Sequence, residues 1–83
     1  MNLQVRDIVS QIYNKEVIAK GSSVKIKKRL EKLYGRGNWV KMKGIAKVRL
    51  SDGTIRSAEI HWFEAHGLGK KDIKVKYYMG DME

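Results

Sequence analysis

The sequence predicts an α+β fold in which two N-terminal helices pack on one face of a three-stranded antiparallel meander sheet. The first observation behind this prediction is a change of period. Apolar residues recur every three or four positions before residue 38 and every second position after it. The second is the Asp52-Gly53 pair, a strong signal for a hairpin between two of the strands. With 83 residues, the chain is predicted to form a single domain over residues 1–83.

Two helices are predicted, over residues 3–19 and 24–34. In the first, Val5, Ile8 and Ile12 lie on one apolar stripe at helical spacing. The second helix has an apolar stripe and, beside it, a ridge of positive charge, although like charges on one helix repel each other. We therefore expect this ridge to contact phosphates. Its members are Lys25, Lys28, Arg29, Lys32 and Arg36.

Three strands are predicted, over residues 39–50, 54–66 and 70–79, because apolar and polar residues alternate through each of them. If the Asp-Gly pair forms a two-residue turn, Leu50 lies opposite Ile55, and the later pairs between the first two strands follow from this one. Opposed residues share a face of the sheet, so the register decides which side chains the helices cover.

The predicted register divides the sheet into an apolar face and a basic face. Glu59, His61 and Phe63 fall on the apolar face, which we expect the helices to cover. Trp62 falls at the centre of the exposed basic face, where its indole would stack on an unpaired base. The residues expected to bind nucleic acid on that face and in its flanking loop are Lys41, Lys43, Lys47, Arg49, Arg56, Trp62, Lys70, Lys74, Lys76 and Tyr78.

The net charge of +9, from 18 lysines and arginines against nine acids, predicts a polyanionic partner. We expect that partner to be nucleic acid. RNA or another single-stranded form is favoured over duplex DNA, because the sequence lacks a helix-turn-helix pattern with a polar recognition helix. The alternative without nucleic acid is a protein-interaction module whose basic face meets an acidic protein partner, such as an antitoxin. The protein is expected to be a monomer or a homodimer.

Glu59 and His61 lie two residues apart on one predicted strand, so their side chains point the same way. A carboxylate beside an imidazole can act as a general base, form a structural pair or contact a ligand. As a catalytic pair they would make the protein a metal-independent ribonuclease, in which nearby cations stabilise the transition state. The sequence favours a binding protein over an enzyme, because the neighbours Phe63, Ile73 and Val75 are typical of a core.

The composition argues against several kinds of site. The chain has no cysteine, which excludes disulfides and cysteine-ligated metal. A metal site is not predicted, because His61 points away from Glu64 and His66 on a regular strand. No cofactor is predicted either. The sequence shows no secretory signal and no apolar run of membrane-spanning length, so we expect a cytoplasmic protein that does not associate with membranes.

The segment AEIHWFEAHGLGKKDIKVKYY, from Ala58 to Tyr78, resembles a strand and loop of short uncharacterised bacterial proteins that carry E-I-H-W-[YF]-E-A-H-G-[IL]-G-[KR]-K. This resemblance implies that these residues belong to one hairpin. The order of the predicted elements is also similar to that of the small ribonuclease toxins of the RelE and colicin type. That second resemblance implies a toxin–antitoxin system in which His61 and Glu59 act on RNA.

Overall fold

The computed structural model describes residues 4–79 and shows one five-stranded, curled antiparallel sheet with a single α-helix in this range. The strands are β1 (Val5–Ile8), β2 (Tyr13–Lys20), β3 (Val40–Leu50), β4 (Ile55–Ala65) and β5 (Gly69–Tyr78). A 3-10 turn (Gly21–Ser23) and helix α1 (Lys27–Tyr34) connect β2 to β3. The strand order is β1-β3-β4-β5, and β2 also pairs with β3. Strands β1 and β2 therefore share one edge of β3, with β2 on its first half and β1 on its second half.

The predicted fold class is wrong, because the chain that should form the first helix, over residues 3–19, contains β1 and β2 instead. Its apolar residues fit a helical stripe, but Val5, Ile8 and Ile12 are β-branched and favour extended backbone. In addition, β3 offers a free edge whose backbone groups need partners. β1 and β2 run in the same direction along this edge, and the Ser10 hydroxyl helps to hold the interruption between them, because it accepts a hydrogen bond of 2.8 Å from the Lys47 amide on β3.

The later elements lie close to their predicted positions. The strands predicted over residues 39–50, 54–66 and 70–79 correspond to β3, β4 and β5 within one residue at each end. The helix predicted over residues 24–34 begins later, at Lys27, and ends at Tyr34. Alternation of apolar and polar residues therefore located these strands, although it could not show that two further strands join them.

The turn between β3 and β4 has one residue more than predicted, and this changes the register. The Leu50 amide donates to the Thr54 carbonyl at 2.8 Å, and the Gly53 amide donates to the Leu50 carbonyl at 2.9 Å, so three residues form the turn. Gly53 has φ +89°, as expected of a glycine that follows a tight turn in such a loop. As a result Ile55 pairs with Arg49 rather than with Leu50. A slip of one residue moves every β4 side chain to the other face.

The inner face of the curled sheet holds the larger hydrophobic cluster, and Trp62 lies within it. Trp62 is fully buried, and its indole nitrogen donates a 2.6 Å hydrogen bond to the Glu64 carboxylate. The prediction that Trp62 is an exposed stacking platform is therefore wrong, as is the expectation that Glu59, His61 and Phe63 share the core face. The buried members of the cluster are Ala46, Val48, Leu50, Ala58, Ile60 and Trp62.

The outer face carries the odd-numbered residues of β3 and β4, and α1 covers one end of it. Leu30 of α1 is fully buried in a second cluster with Trp39 and Ala65, and Phe63 packs against them. The Trp39 indole donates a 3.0 Å hydrogen bond to the Gly35 carbonyl, which secures the chain just after the helix. No helix in the range 4–79 has the length and apolar character needed to cross a membrane.

Candidate nucleic-acid interface

The exposed part of the outer face is built from side chains that strand pairing places in rows. One row crosses four strands: Tyr13 of β2 pairs with Ile45, Ile45 with Glu59, and Glu59 with Tyr77 of β5. Directly opposed residues lie on the same face of a sheet. Tyr13 is 51% exposed and Tyr77 is 54% exposed, so both ends of the row offer a phenol ring to solvent.

Cations surround this row on the outer face. Lys43 pairs with His61 in the next row of the sheet, and His61 pairs with Lys74 of β5. Some of this charge is partly compensated, because Glu16 lies 3.8 Å from Lys43 and Asp7 lies 3.3 Å from Arg49. Exposed pairs of this kind contribute little to stability and are easily exchanged for a ligand. Cations on or beside the outer face strands include Lys41, Lys43, Lys47, Arg49, Lys71, Lys74 and Lys76.

Glu59 forms the centre of a hydrogen-bonded network on the outer face. Its Oε2 lies 2.8 Å from His61 Nε2, and its Oε1 accepts a 2.8 Å hydrogen bond from the Tyr77 hydroxyl. The bonds from His61 and Tyr77, together with the positive charge of Lys43, lower the pKa of the Glu59 carboxyl. The bond to Glu59 in turn raises the pKa of the Tyr77 hydroxyl. The carboxylate is therefore ionised at neutral pH, and His61 Nε2 carries the proton that it donates.

The geometry of His61 bears directly on whether this pair could transfer protons to a substrate. The Glu59 and His61 side chains are only 14% and 13% exposed. Nε2 is engaged with Glu59, and Nδ1 is buried without a hydrogen bond to any residue in the range 4–79. A general base needs an atom within hydrogen-bond reach of the proton that it removes. This arrangement matches a structural pair that fixes Tyr77, because one imidazole nitrogen is bonded to Glu59 and the other is buried.

Two adjoining cavities open on the outer face, one beside α1 and one beside β2 and the residues that precede α1, and we call them together the groove. The first has a volume of about 500 Å³ and is lined by Ile26, Arg29, Lys41, His61, Phe63, Asp72, Ile73, Lys74 and Lys76. The second has a volume of about 430 Å³ and is lined by Ile18, Ala19, Ser23, Lys25, Ile26, Lys41 and Phe63. Both cavities are therefore lined by lysines together with apolar side chains.

One acid, Asp72, lines the groove, and it already has partners on α1. It accepts a 3.0 Å hydrogen bond from the Tyr34 hydroxyl and one of 3.3 Å from Arg29. The bond to Asp72 raises the pKa of Tyr34. Lys71 lies 5.0 Å from the centroid of the Tyr34 ring. These contacts hold α1 against β5 and set the width of the first cavity.

Most of the binding residues predicted from the sequence lie either on α1 and its flanks or on the outer face of the sheet. On α1 and its flanks, Lys28, Arg29 and Lys32 are exposed within the helix, while Lys25 precedes it and Arg36 follows it. On the outer face lie Lys41, Lys43, Lys47, Arg49, Lys74 and Lys76, which the sequence assigned to the basic face.

Four predicted binding residues, three of the basic face and Lys70 of its flanking loop, do not lie with these cations. Trp62 is in the core, and Arg56 is on the same inner face, where its guanidinium lies 4.4 Å from the centroid of the Tyr78 ring. Lys70 is the fourth, and its ammonium lies 6.0 Å from the centroid of the Trp62 ring. The physical reason is the extra residue in the β3–β4 turn, which places the even-numbered β4 residues on the inner face, together with Tyr78 and Lys70, which pair with Ala58 and Glu64.

Three aromatic residues of the outer face were missed as binding candidates. Tyr13 was assigned to a helix, so its exposure beside Ile45 could not be foreseen. Phe63 and Tyr77 were placed on the core face by the predicted register. The signal that could have identified Phe63 and Tyr77 is that Asp52-Gly53 suits a three-residue turn as well as a two-residue one, because the longer turn brings these two residues to the basic face.

No set of three or more histidine, aspartate or glutamate side chains in residues 4–79 is arranged to hold a metal ion. No protein-family model, curated protein sequence or solved structure matches the chain. The resemblances to short bacterial proteins and to the RelE and colicin toxins therefore stay predictions.

Proposed function

We propose that the protein binds single-stranded nucleic acid, RNA in particular, through the outer face of its sheet. The observation that carries this proposal is the row with exposed phenol rings of Tyr13 and Tyr77 at its ends, set among lysines and arginines. Aromatic rings stack on unpaired bases, and the cations neutralise the phosphates between them. Both kinds of contact occur on one surface, as a single strand requires.

The global charge supports the same partner. A net charge of +9 on 83 residues attracts polyanions and accelerates their association with the protein. The described acids on the outer face are largely engaged, since Glu59 is bonded to His61 and Tyr77 and Glu16 faces Lys43. Because these acids are engaged, the outer face presents a net positive charge to solvent.

The structure favours binding over cleavage of the nucleic acid. A ribonuclease that uses His61 and Glu59 would need an imidazole nitrogen open to the ribose or the leaving oxygen. Here Nε2 is held by Glu59 and Nδ1 is buried. We therefore do not assign the catalytic function that the sequence left open.

A binding assay with matched variants tests the proposal. Fluorescence anisotropy would be measured with labelled single-stranded RNA, single-stranded DNA and duplex DNA, in EDTA and at several salt concentrations. We expect single strands to bind more tightly than the duplex, with an affinity that falls steeply as salt is raised. Tyr13→Ala should weaken the binding by about 1–3 kcal/mol, because it removes one stacking ring.

Leu33→Ala provides the control, since Leu33 is an exposed apolar side chain of α1 at 59% exposure and lies outside the sheet. It should leave the affinity unchanged. Binding that does not depend on salt, or that Tyr13→Ala and Leu33→Ala weaken equally, would contradict the proposal. Cleaved RNA in EDTA would favour the ribonuclease, and no binding to any nucleic acid would favour an acidic protein as the partner.

A further inference from the structure

We propose that the groove binds one dinucleotide step of a single strand, with a nucleotide in each cavity and the phosphodiester between them at Lys41. This inference rests on the proposed function and specifies which unit of the strand is recognised. It concerns the covered end of the outer face, next to α1, rather than the open row that ends in Tyr13 and Tyr77.

The first argument is the shared boundary of the two cavities. Ile26, Lys41 and Phe63 line both of them, so these three residues stand where the cavities meet. The volumes of about 500 Å³ and about 430 Å³ both fall in the range of pockets that hold small organic ligands. Two adjoining cavities of similar size suit two successive units of a polymer better than one compact ligand.

The second argument is the chemistry at that boundary. The Lys41 ammonium lies 5.7 Å from the centroid of the Phe63 ring, so a cation and an aromatic ring occur together at the junction. A phosphodiester needs a cation at this point, and the bases on either side need apolar contacts. Phe63 and Ile26 supply the apolar contacts to both cavities.

The third argument is the placement of the remaining charge. Lys74 and Lys76 of β5 line the first cavity, and Lys25 lines the second. Each cavity therefore has cations of its own besides Lys41, which both share, and these can neutralise the phosphates that precede and follow the dinucleotide step. Asp72, the acid of the groove, is bonded to Arg29 and Tyr34 and does not offset these lysines.

A length series on the native protein tests the dinucleotide unit. Calorimetry would compare a nucleoside 5′-monophosphate, a 5′-phosphorylated dinucleotide and a single-stranded octamer of the same base. We expect the dinucleotide to bind about tenfold or more tightly than the mononucleotide, because it fills the second cavity and reaches Lys41.

The matched variants are Lys41→Gln and Lys47→Gln, both on the outer face of β3, with only Lys41 in the groove. Lys41→Gln should reduce dinucleotide affinity about tenfold, whereas Lys47→Gln, which removes a cation of the open outer face outside the groove, should leave dinucleotide affinity within about twofold and weaken only the octamer. Circular dichroism would show that both variants are folded, and Lys74→Gln provides a second groove variant that should also weaken the dinucleotide.

Failure of the dinucleotide site and failure of the proposed function give different results in these measurements. An octamer that binds, with a dinucleotide no tighter than the mononucleotide, overturns the groove as a dinucleotide site and leaves the outer-face proposal standing. Equal effects of Lys41→Gln and Lys47→Gln on the dinucleotide overturn it as well. A protein that binds none of the three ligands refutes the proposed function itself, and the groove inference with it.

Discussion

Replacing Trp62 with alanine tests the register that separates the inner face from the outer one. The side chain is fully buried among Ala46, Ala58 and Ile60, and its indole donates to Glu64. Truncating a buried aromatic residue to alanine typically costs about 3–5 kcal/mol, through lost apolar burial and the cavity that remains. Domains of this kind have a total stability of about 5–15 kcal/mol, so the variant should lose much of its margin.

The assay is urea unfolding of the native protein and of the Trp62→Ala variant, measured by circular dichroism and by tryptophan fluorescence. In the variant this fluorescence comes from Trp39 alone. Ile55→Ala is the control, because Ile55 lies on the same strand, is 48% exposed and pairs with Arg49. That variant should lose less than about 1 kcal/mol. If Trp62→Ala lost as little as the control, Trp62 would be exposed and the assigned register would be one residue out. Should Trp62→Ala not fold, Trp62→Leu would give the smaller loss for the same comparison.

Three further predictions concern the core, the turn and the outer face. Gly44→Ala should lower the free energy of unfolding by about 1–3 kcal/mol, because an added Cβ would lie 2.5 Å from Ile12 Cγ2 and 3.2 Å from the Tyr13 carbonyl oxygen. An unchanged midpoint of chemical unfolding would contradict this packing. Gly53→Ala should cost about 1–2 kcal/mol in the same assay because of the φ of +89°, and a neutral effect would exclude the three-residue turn. The hydrogen bonds that Glu59 accepts lower the pKa of its carboxyl below the ordinary value of 4.5. The stability that these bonds supply is therefore fully present above pH 4.5 and is lost as the pH falls through the lowered pKa. Glu59→Gln should therefore show a smaller loss of stability between about pH 6 and about pH 3 than the native protein, and equal losses would refute the network.

The strands near the middle and end of the chain were predictable because their alternation is long and uninterrupted. The faces were not, because they depend on one residue of turn length. Asp52-Gly53 is compatible with a two-residue turn and with the three-residue turn that forms, and only the backbone bonds of Leu50 distinguish them. With the longer turn, the apolar set Ala58, Ile60 and Trp62 joins the core, and the polar set on the same strand joins the basic face.

The N-terminal strands could not be predicted from local pattern at all. Val5, Ile8 and Ile12 satisfy the spacing of a helical stripe as well as the composition of short strands. What decides between them is the pairing of this segment with β3, whose residues lie from 20 positions (Lys20 with Val40) to 45 positions (Val5 with Leu50) further along the chain. The hydrogen-bonding of Glu59 with His61 was foreseeable from their spacing, whereas the engagement of Tyr77 followed from strand pairing.

Ultraviolet cross-linking of the native protein to a single-stranded RNA, with mass spectrometry to locate the modified residue, tests the central claim most directly. The outer face is predicted to contact the bases, so cross-links should form at Tyr13, Tyr77 or Phe63 and should disappear when unlabelled RNA competes. Cross-links at Trp62 or Tyr78 would place the RNA on the inner face and would contradict the account.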